Sequence, residues 1–278
     1  MPNPASAPLT PLAQILDHRQ RTEQRVSFRI TQDWQQGRTL FGGVLALIAA
    51  QAMRDVCGRD WPLRSLQTNF VGPVSAGLVH VDVTLLRQGK NIRQVKAQIM
   101  QAQEGGSEEI AGILVAAFGA GRESVMPALR PPQVAVAKDI ETSFPWPYIP
   151  GMTPAFTQHL SFRHAEGGTP FTGDDVWHSR TYVRLLDNMG IDAELQSILL
   201  ADAGPTPALS QLRGFAPASS VSWALELRPV QIGQMDGHWR MDKDALAAGE
   251  GYVNEKTTLW TPCGQLAALG YQVVAVYA

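Results

Sequence analysis

The 278-residue chain has only two cysteines, Cys57 and Cys263, and they lie in different halves. No disulfide framework and no cysteine-based metal site can be built from that pair, and each reads as a small buried apolar residue. The six histidines are scattered, with no His-x-x-His or His-Glu-x-x-His spacing, so no metal centre is expected. No Gly-x-Ser-x-Gly elbow is present, which argues against α/β-hydrolase chemistry, and no phosphate-cradling Gly loop with a Lys is found. Net charge is only −2, with a pI near 6.3, so there is no electrostatic footprint for nucleic acid or an anionic membrane. Long apolar runs are also missing. The longest, Val44 to Ala52, is too short to span a bilayer and contains Gln51. Met1 to Leu12 is rich in Pro, Ala and Ser and lacks the basic start and apolar core of a secretory signal. A cytoplasmic protein with no membrane or nucleic-acid partner is the expectation.

What is present is ample apolar material, 45% of residues, in an order that occurs twice. Val26-Ser27-Phe28-Arg29-Ile30 returns as Leu160-Ser161-Phe162-Arg163-His164. After a mobile leader, residues 1–20, with a short helix near Leu12 to Leu16, Arg25 to Ile30 alternates apolar and polar as a half-buried strand does. Phe41-Gly42-Gly43 then leads into Val44 to Met53, apolar on nearly every side, which predicts a buried helix with a sheet around it. Four alternating runs follow, Leu63 to Val71, Val79 to Arg87, Arg93 to Ala102 and Glu109 to Gly119, separated by Gly/Asn-rich turns that mark antiparallel hairpins.

Residues 121–154 carry seven prolines and the aromatics Phe144, Trp146 and Tyr148, which predicts an extended linker docked on a surface. The second half repeats the order: strands near Phe156 to His164 and Val176 to Leu185, a helix over Ile191 to Asp202, then strands near Ser219 to Leu227, His238 to Lys243, Gly251 to Thr261 and Gln265 to Tyr277. Pro262-Cys263-Gly264 stands where Gly105-Gly106 stands in the first half. The division is a leader (1–20), an N-terminal domain (21–120), a linker (121–154) and a C-terminal domain (155–278).

The first half resembles the acyl-CoA thioesterase II-type family through Leu40-Phe41-Gly42-Gly43, Ser65 to Pro73 and Leu86-Arg87-Gln88-Gly89-Lys90-Asn91. The second resembles it through Leu199-Leu200-Ala201-Asp202, the strand before Arg228-Pro229, and Gly264 to Gln272. The resemblance implies an α+β tandem double-hotdog fold, two antiparallel sheets each wrapping a long central helix. It also implies hydrolysis of acyl-CoA thioesters without cofactor or metal, by an Asp, a Ser or Thr, and a Gln that position a water. Asp202 matches the Asp and Gln272 the Gln. The hydroxyl is left open. Strand alternation favours Ser220, by placing Val221, Trp223, Leu225 and Leu227 on the core face; counting back from Arg228-Pro229 gives Ser219; and Ser222 shares the face of Ser220.

In that scheme Asp202 is the general base, its acidity weakened by burial and by the negative end of its helix. The amides after Phe41-Gly42-Gly43 are candidates for the oxyanion hole, because helix N-termini present unpaired N–H groups. The first helix carries no acid from Phe41 to Arg54, so one active site per chain is expected. Each residue also has a plainer reading: a solvated helix-terminal acid, a structural buried amide, ordinary strand serines, and glycines that let a helix pack closely. Two further functions compete, a non-catalytic acyl-CoA-binding protein and a hotdog-type enoyl-CoA hydratase, though the hydratase needs a His near the Asp and none is there. Exposed sheet edges favour a homodimer or higher homo-oligomer.

Overall fold

A computed structural model describes residues 8–102, 106–230 and 237–278. The strands are β1 (Gln20–Arg21), β2 (Arg25–Ile30), β3 (Gln35–Gln36), β4 (Thr39–Leu40), β5 (Leu63–Phe70), β6 (Gly77–Gln88), β7 (Ile92–Ala102) and β8 (Glu108–Gly119). They continue as β9 (Phe144–Trp146), β10 (Leu160–Gly167), β11 (His178–Leu185), β12 (Ala218–Leu227), β13 (Trp239–Gly249), β14 (Tyr252–Trp260) and β15 (Leu266–Val276). The helices are α1 (Leu12–Asp17), α2 (Gly42–Cys57) and α3 (Ala193–Ala201).

Two separate sheets were the expectation; the structure has one. Thirteen strands run in the order β1-β2-β6-β7-β8-β5-β12-β15-β14-β13-β11-β10-β9, and β3 and β4 form a small hairpin apart. The joint is the antiparallel pairing of β5 with β12, from Ser222↔Asn69 to Glu226↔Ser65. Each half therefore lends its edge strand to the other, which removes two exposed edges from the middle of the molecule.

Sequence patterning explains α2. Its residues Gly43 to Met53 are all buried because the sheet curves around it, and the one polar member, Gln51, donates to Asp55 Oδ1 at 2.9 Å. Fully burying Leu47 and Ile48 stabilises the fold by about 1.5–3 kcal/mol each. The helix stops at Gly58, whose φ of +90° suits a residue without a Cβ. The second helix is shorter than expected. Asp192 caps α3 by accepting from the Leu195 N–H at 2.9 Å, leaving nine residues to Ala201, with Asp202 as the C-cap.

Two further expectations are corrected. The leader is not free from residue 8 onward: Leu12, Ile15 and Leu16 of α1 are buried in the main core, and the Trp34 indole donates to the Thr10 carbonyl at 3.0 Å. Residues 1–7 of that leader and Gly105 of the proposed turn lie outside the described residues. The strand that stands where β2 stands is β11, not β10. β2 pairs with β6, and β11 pairs with β13, the strands that follow the helix-and-edge-strand unit in each half. β10 lies one strand further out, in the place of β1. The Ser-Phe-Arg likeness thus joins strands that are not equivalent. The linker is docked as expected: β9 pairs with β10, the Tyr182 hydroxyl donates to the Lys138 carbonyl at 3.4 Å, and the Ala137 N–H donates to Glu166 at 2.7 Å.

Candidate active site

Helices α2 and α3 run so that the first turn of α2 meets the last turn of α3. The closeness depends on glycine. A Cβ on Gly43 would stand 3.0 Å from the Leu199 carbonyl oxygen, and one on Gly42 would stand 2.8 Å from Asp202 Oδ2. Asp202, half-buried, is thereby held between a helix C-terminus, which disfavours its charge, and a helix N-terminus, which favours it. The sequence suggested only the first of these.

From the sheet side, Gln272 on β15 reaches the same carboxylate. Its Nε2 donates to Asp202 Oδ1 at 3.0 Å and to Ser220 Oγ at 2.6 Å. The structure therefore brings Asp202, Ser220 and Gln272 together, and the serine that meets Gln272 is Ser220 rather than Ser219 or Ser222. Ser220 arrives by a route that strict alternation misses. A bulge at Val221 breaks the β12–β15 register between Ser220 and Ser222, so Ser220 joins the inward row of Trp223 and Gln272. Val221 was expected in the core; the bulge turns it outward, 40% exposed.

Burial is the largest influence on Asp202 and pushes its acidity down, to a pKa of about 6. The Lys243 charge, the Gln272 hydrogen bond and the Gly43 backbone N–H pull the other way, and the Glu255 carboxylate adds to the rise. A carboxyl that titrates near 6 is largely ionised at neutral pH yet basic enough to accept a proton in a transition state.

The glycine-led start of α2 is narrower than the sequence suggested. The Val44 and Leu45 amides both donate to the Phe41 carbonyl at 3.2 Å, which leaves the Gly42 and Gly43 N–H groups as the first-turn donors at this junction. Phe41 itself is 1% exposed, its ring stacked on Phe156 with centroids 3.9 Å apart. It is a wall residue that fixes the entry to α2, and its ring does not face an open surface. Among the described residues no three His, Cys, Asp or Glu side chains converge as a metal site.

The opposite junction, where α2 ends and α3 begins, is closed. Gln51 stands in Leu47-Ile48-Ala49-Ala50-Gln51-Ala52 as Asp202 stands in Ile198-Leu199-Leu200-Ala201-Asp202-Ala203. There Arg54 pairs with Asp192 at 2.9 Å and with Glu194, and Glu194 also accepts from the Leu63 N–H at 2.8 Å. Salt bridges thus stand at this junction, whereas Asp202, Ser220 and Gln272 meet near the other. Two residues near the first junction escaped the sequence reading, Lys243 and Glu255, although each is a charge at an inward position of an alternating strand.

The acyl-CoA thioesterase N-terminal domain family matches residues 30–119, and the acyl-CoA thioesterase C-terminal domain family matches residues 132–276. No curated protein matches the chain. Among solved structures, a hot dog fold protein of unknown function from Alicyclobacillus acidocaldarius is similar with a TM-score of 0.80 at 16% identity, over 97% of this chain and 99% of that one. A TesB protein from Mycobacterium avium subs paratuberculosis is similar with a TM-score of 0.74 at 14% identity, over 95% and 97% of the two chains. The acyl-CoA thioesterase II TesB2 from Mycobacterium marinum is similar with a TM-score of 0.71 at 15% identity, over 96% and 98%. At these identities the likenesses establish the hotdog fold. Among the described residues no helix is long and apolar enough to cross a membrane.

Proposed function

The chain belongs to the acyl-CoA thioesterase family and is a thioester hydrolase, and from that premise we propose that Asp202, Ser220 and Gln272 hold and activate the water that cleaves an acyl-CoA. The observation that carries the reading is the shared grip of Gln272 Nε2 on Asp202 and Ser220. Three polar side chains from one helix end and two adjacent strands have no structural need to meet at a glycine-lined helix N-terminus.

The chemistry follows from their positions. Asp202 takes a proton from water as the water oxygen forms a bond to the thioester carbonyl carbon. Ser220 Oγ accepts from Gln272, which leaves its own proton to orient that water. The electron pair of the carbonyl moves to its oxygen, and the Gly42 amide stabilises the resulting oxyanion while the Gly43 amide holds Asp202. Collapse of the intermediate breaks the C–S bond, and the proton held by Asp202 goes to the departing CoA sulfur. A thioester needs no metal for this, being already electrophilic.

The test is release of free thiol from acyl-CoAs of graded chain length. Ser220→Ala is expected to lower kcat about tenfold, because one positioning hydrogen bond is lost, and Ser222→Ala to leave it unchanged. Equal losses in the two variants would refute the assignment of Ser220. Tight binding of acyl-CoA without thiol release would instead return the protein to the acyl-binding reading. Nothing in the site favours a hydratase, since no histidine contacts Asp202 among the described residues.

A further inference from the structure

Behind Asp202 lies a second pair of charges that the water-holding residues do not require. Lys243 on β13 and Glu255 on β14 face inward with side chains 2% and 0% exposed, Nζ to Oε1 at 2.6 Å. The same ammonium donates to the Gly204 carbonyl at 3.2 Å, two residues beyond Asp202. Glu255 stands directly opposite Gln272 in the β14–β15 register, and Gln272 grips Asp202. The pair therefore touches the chain that carries the carboxylate and flanks the side chain that holds it.

Stability alone does not explain such a pair. Removing two charges from water costs several kcal/mol each, and apolar residues of similar volume often serve as well or better. The row is not even arranged to satisfy itself: Glu255 Oε2 and Gln272 Oε1 are both buried without a hydrogen-bond partner among the described residues.

We propose that Lys243 and Glu255 are positioning residues for Asp202: the ammonium fixes the Gly204 carbonyl and with it the turn bearing the base, and the Glu255 carboxylate balances the ammonium so that Asp202 can still take a proton from water. The proposal rests on Asp202 being the base. The groups that face Asp202 are Lys243 from β13, Glu255 from β14, Gln272 from β15 and the Gly43 amide from α2, and of these the Lys243 charge acts most strongly against protonation.

Profiles of kcat/KM against pH on the full chain, with one acyl-CoA, provide the test. In Glu255→Gln the ammonium loses its counter-charge, and the rising acid limb moves to lower pH by about one unit. In the double variant Lys243→Met/Glu255→Met both charges go, the fold is kept, and the limb moves the opposite way, because the stronger of the two influences has been removed. Loss of the Gly204 tether also lowers kcat about tenfold with KM unchanged. A merely structural pair would not move the limb in opposite directions. Unmoved limbs and an unchanged kcat in the double variant would overturn the proposal. Retained turnover by Asp202→Asn would overturn it through its premise instead, and the two failures are told apart by that one control.

Discussion

Asp202→Asn is expected to lose about 10³-fold in turnover and, at the same time, to unfold at a higher temperature than wild type above pH 6. The loss follows because an amide cannot accept the proton of the attacking water. The gain follows from linkage. Burial raises the folded pKa from 3.8 to about 6, so the folded state prefers the neutral acid more than the unfolded chain does. Stability from this group is complete below the unfolded pKa and falls as pH rises through the folded one. At pH 8 the wild type bears the whole cost, at most about 2–3 kcal/mol before solvent screening. Asparagine keeps an oxygen for the Gln272 amide and carries no charge. Unfolding curves at pH 3.5, 5 and 8 should show no advantage for the variant at the lowest pH and the full advantage at the highest. A variant less stable than wild type at pH 8 would contradict the account of Asp202 as a carboxylate whose charge is disfavoured by desolvation. The wild-type rate should rise with pH through about 6, the value at which Asp202 ionises.

Gly42→Ala should separate activity from stability in the other direction. Alanine in a helix interior stabilises by about 0.5–1 kcal/mol over glycine, and Gly42 opens α2. Here its methyl would stand 2.8 Å from Asp202 Oδ2 and 3.1 Å from the Phe70 ring. Both neighbours are the ends of side chains and can give way, so the thermal midpoint should change little. The carboxylate cannot give way without leaving its line to Gln272 and to substrate, and kcat/KM should fall about 10²-fold. Gly43→Ala makes the contrast. Its methyl would meet the Phe41 ring at 2.5 Å and the Leu199 carbonyl at 3.0 Å, so the ring must leave its stack on Phe156, at about 1–3 kcal/mol of stability. If Gly42→Ala unfolds as early as Gly43→Ala, the two glycines share one structural duty and the distinction fails.

Much of the fold could be read from the sequence because the physics is local. The all-apolar face of Val44 to Met53 demanded a wrapping sheet, and alternation with Gly-rich turns placed β5 to β8 within a residue or two. Pairing partners are not local. Nothing in the alternation of Leu63 to Phe70 says that its free edge will meet Ala218 to Leu227, so one continuous sheet was missed. The Ser-Phe-Arg likeness failed for a related reason: apolar–polar alternation has few forms, and short matches recur between strands that occupy different places. At the candidate site, Asp202 and Gln272 were proposed through resemblance, and their side chains meet. Ser220 was reached by an alternation argument whose other member, Val221, points outward, because a bulge has no signature in one sequence. Lys243 and Glu255 carried a usable signal, a charge on the inward beat of a strand, that only a partner across the sheet makes meaningful.

The salt-bridged far junction bears on the number of substrates. Two similar halves could in principle take two substrates, but the first helix carries no acid from Phe41 to Arg54, and the Arg54–Glu194 bridge and the Leu63 N–H bond to Glu194 stand at the far junction. A titration with a thioester analogue that resists hydrolysis should therefore saturate at one equivalent per chain.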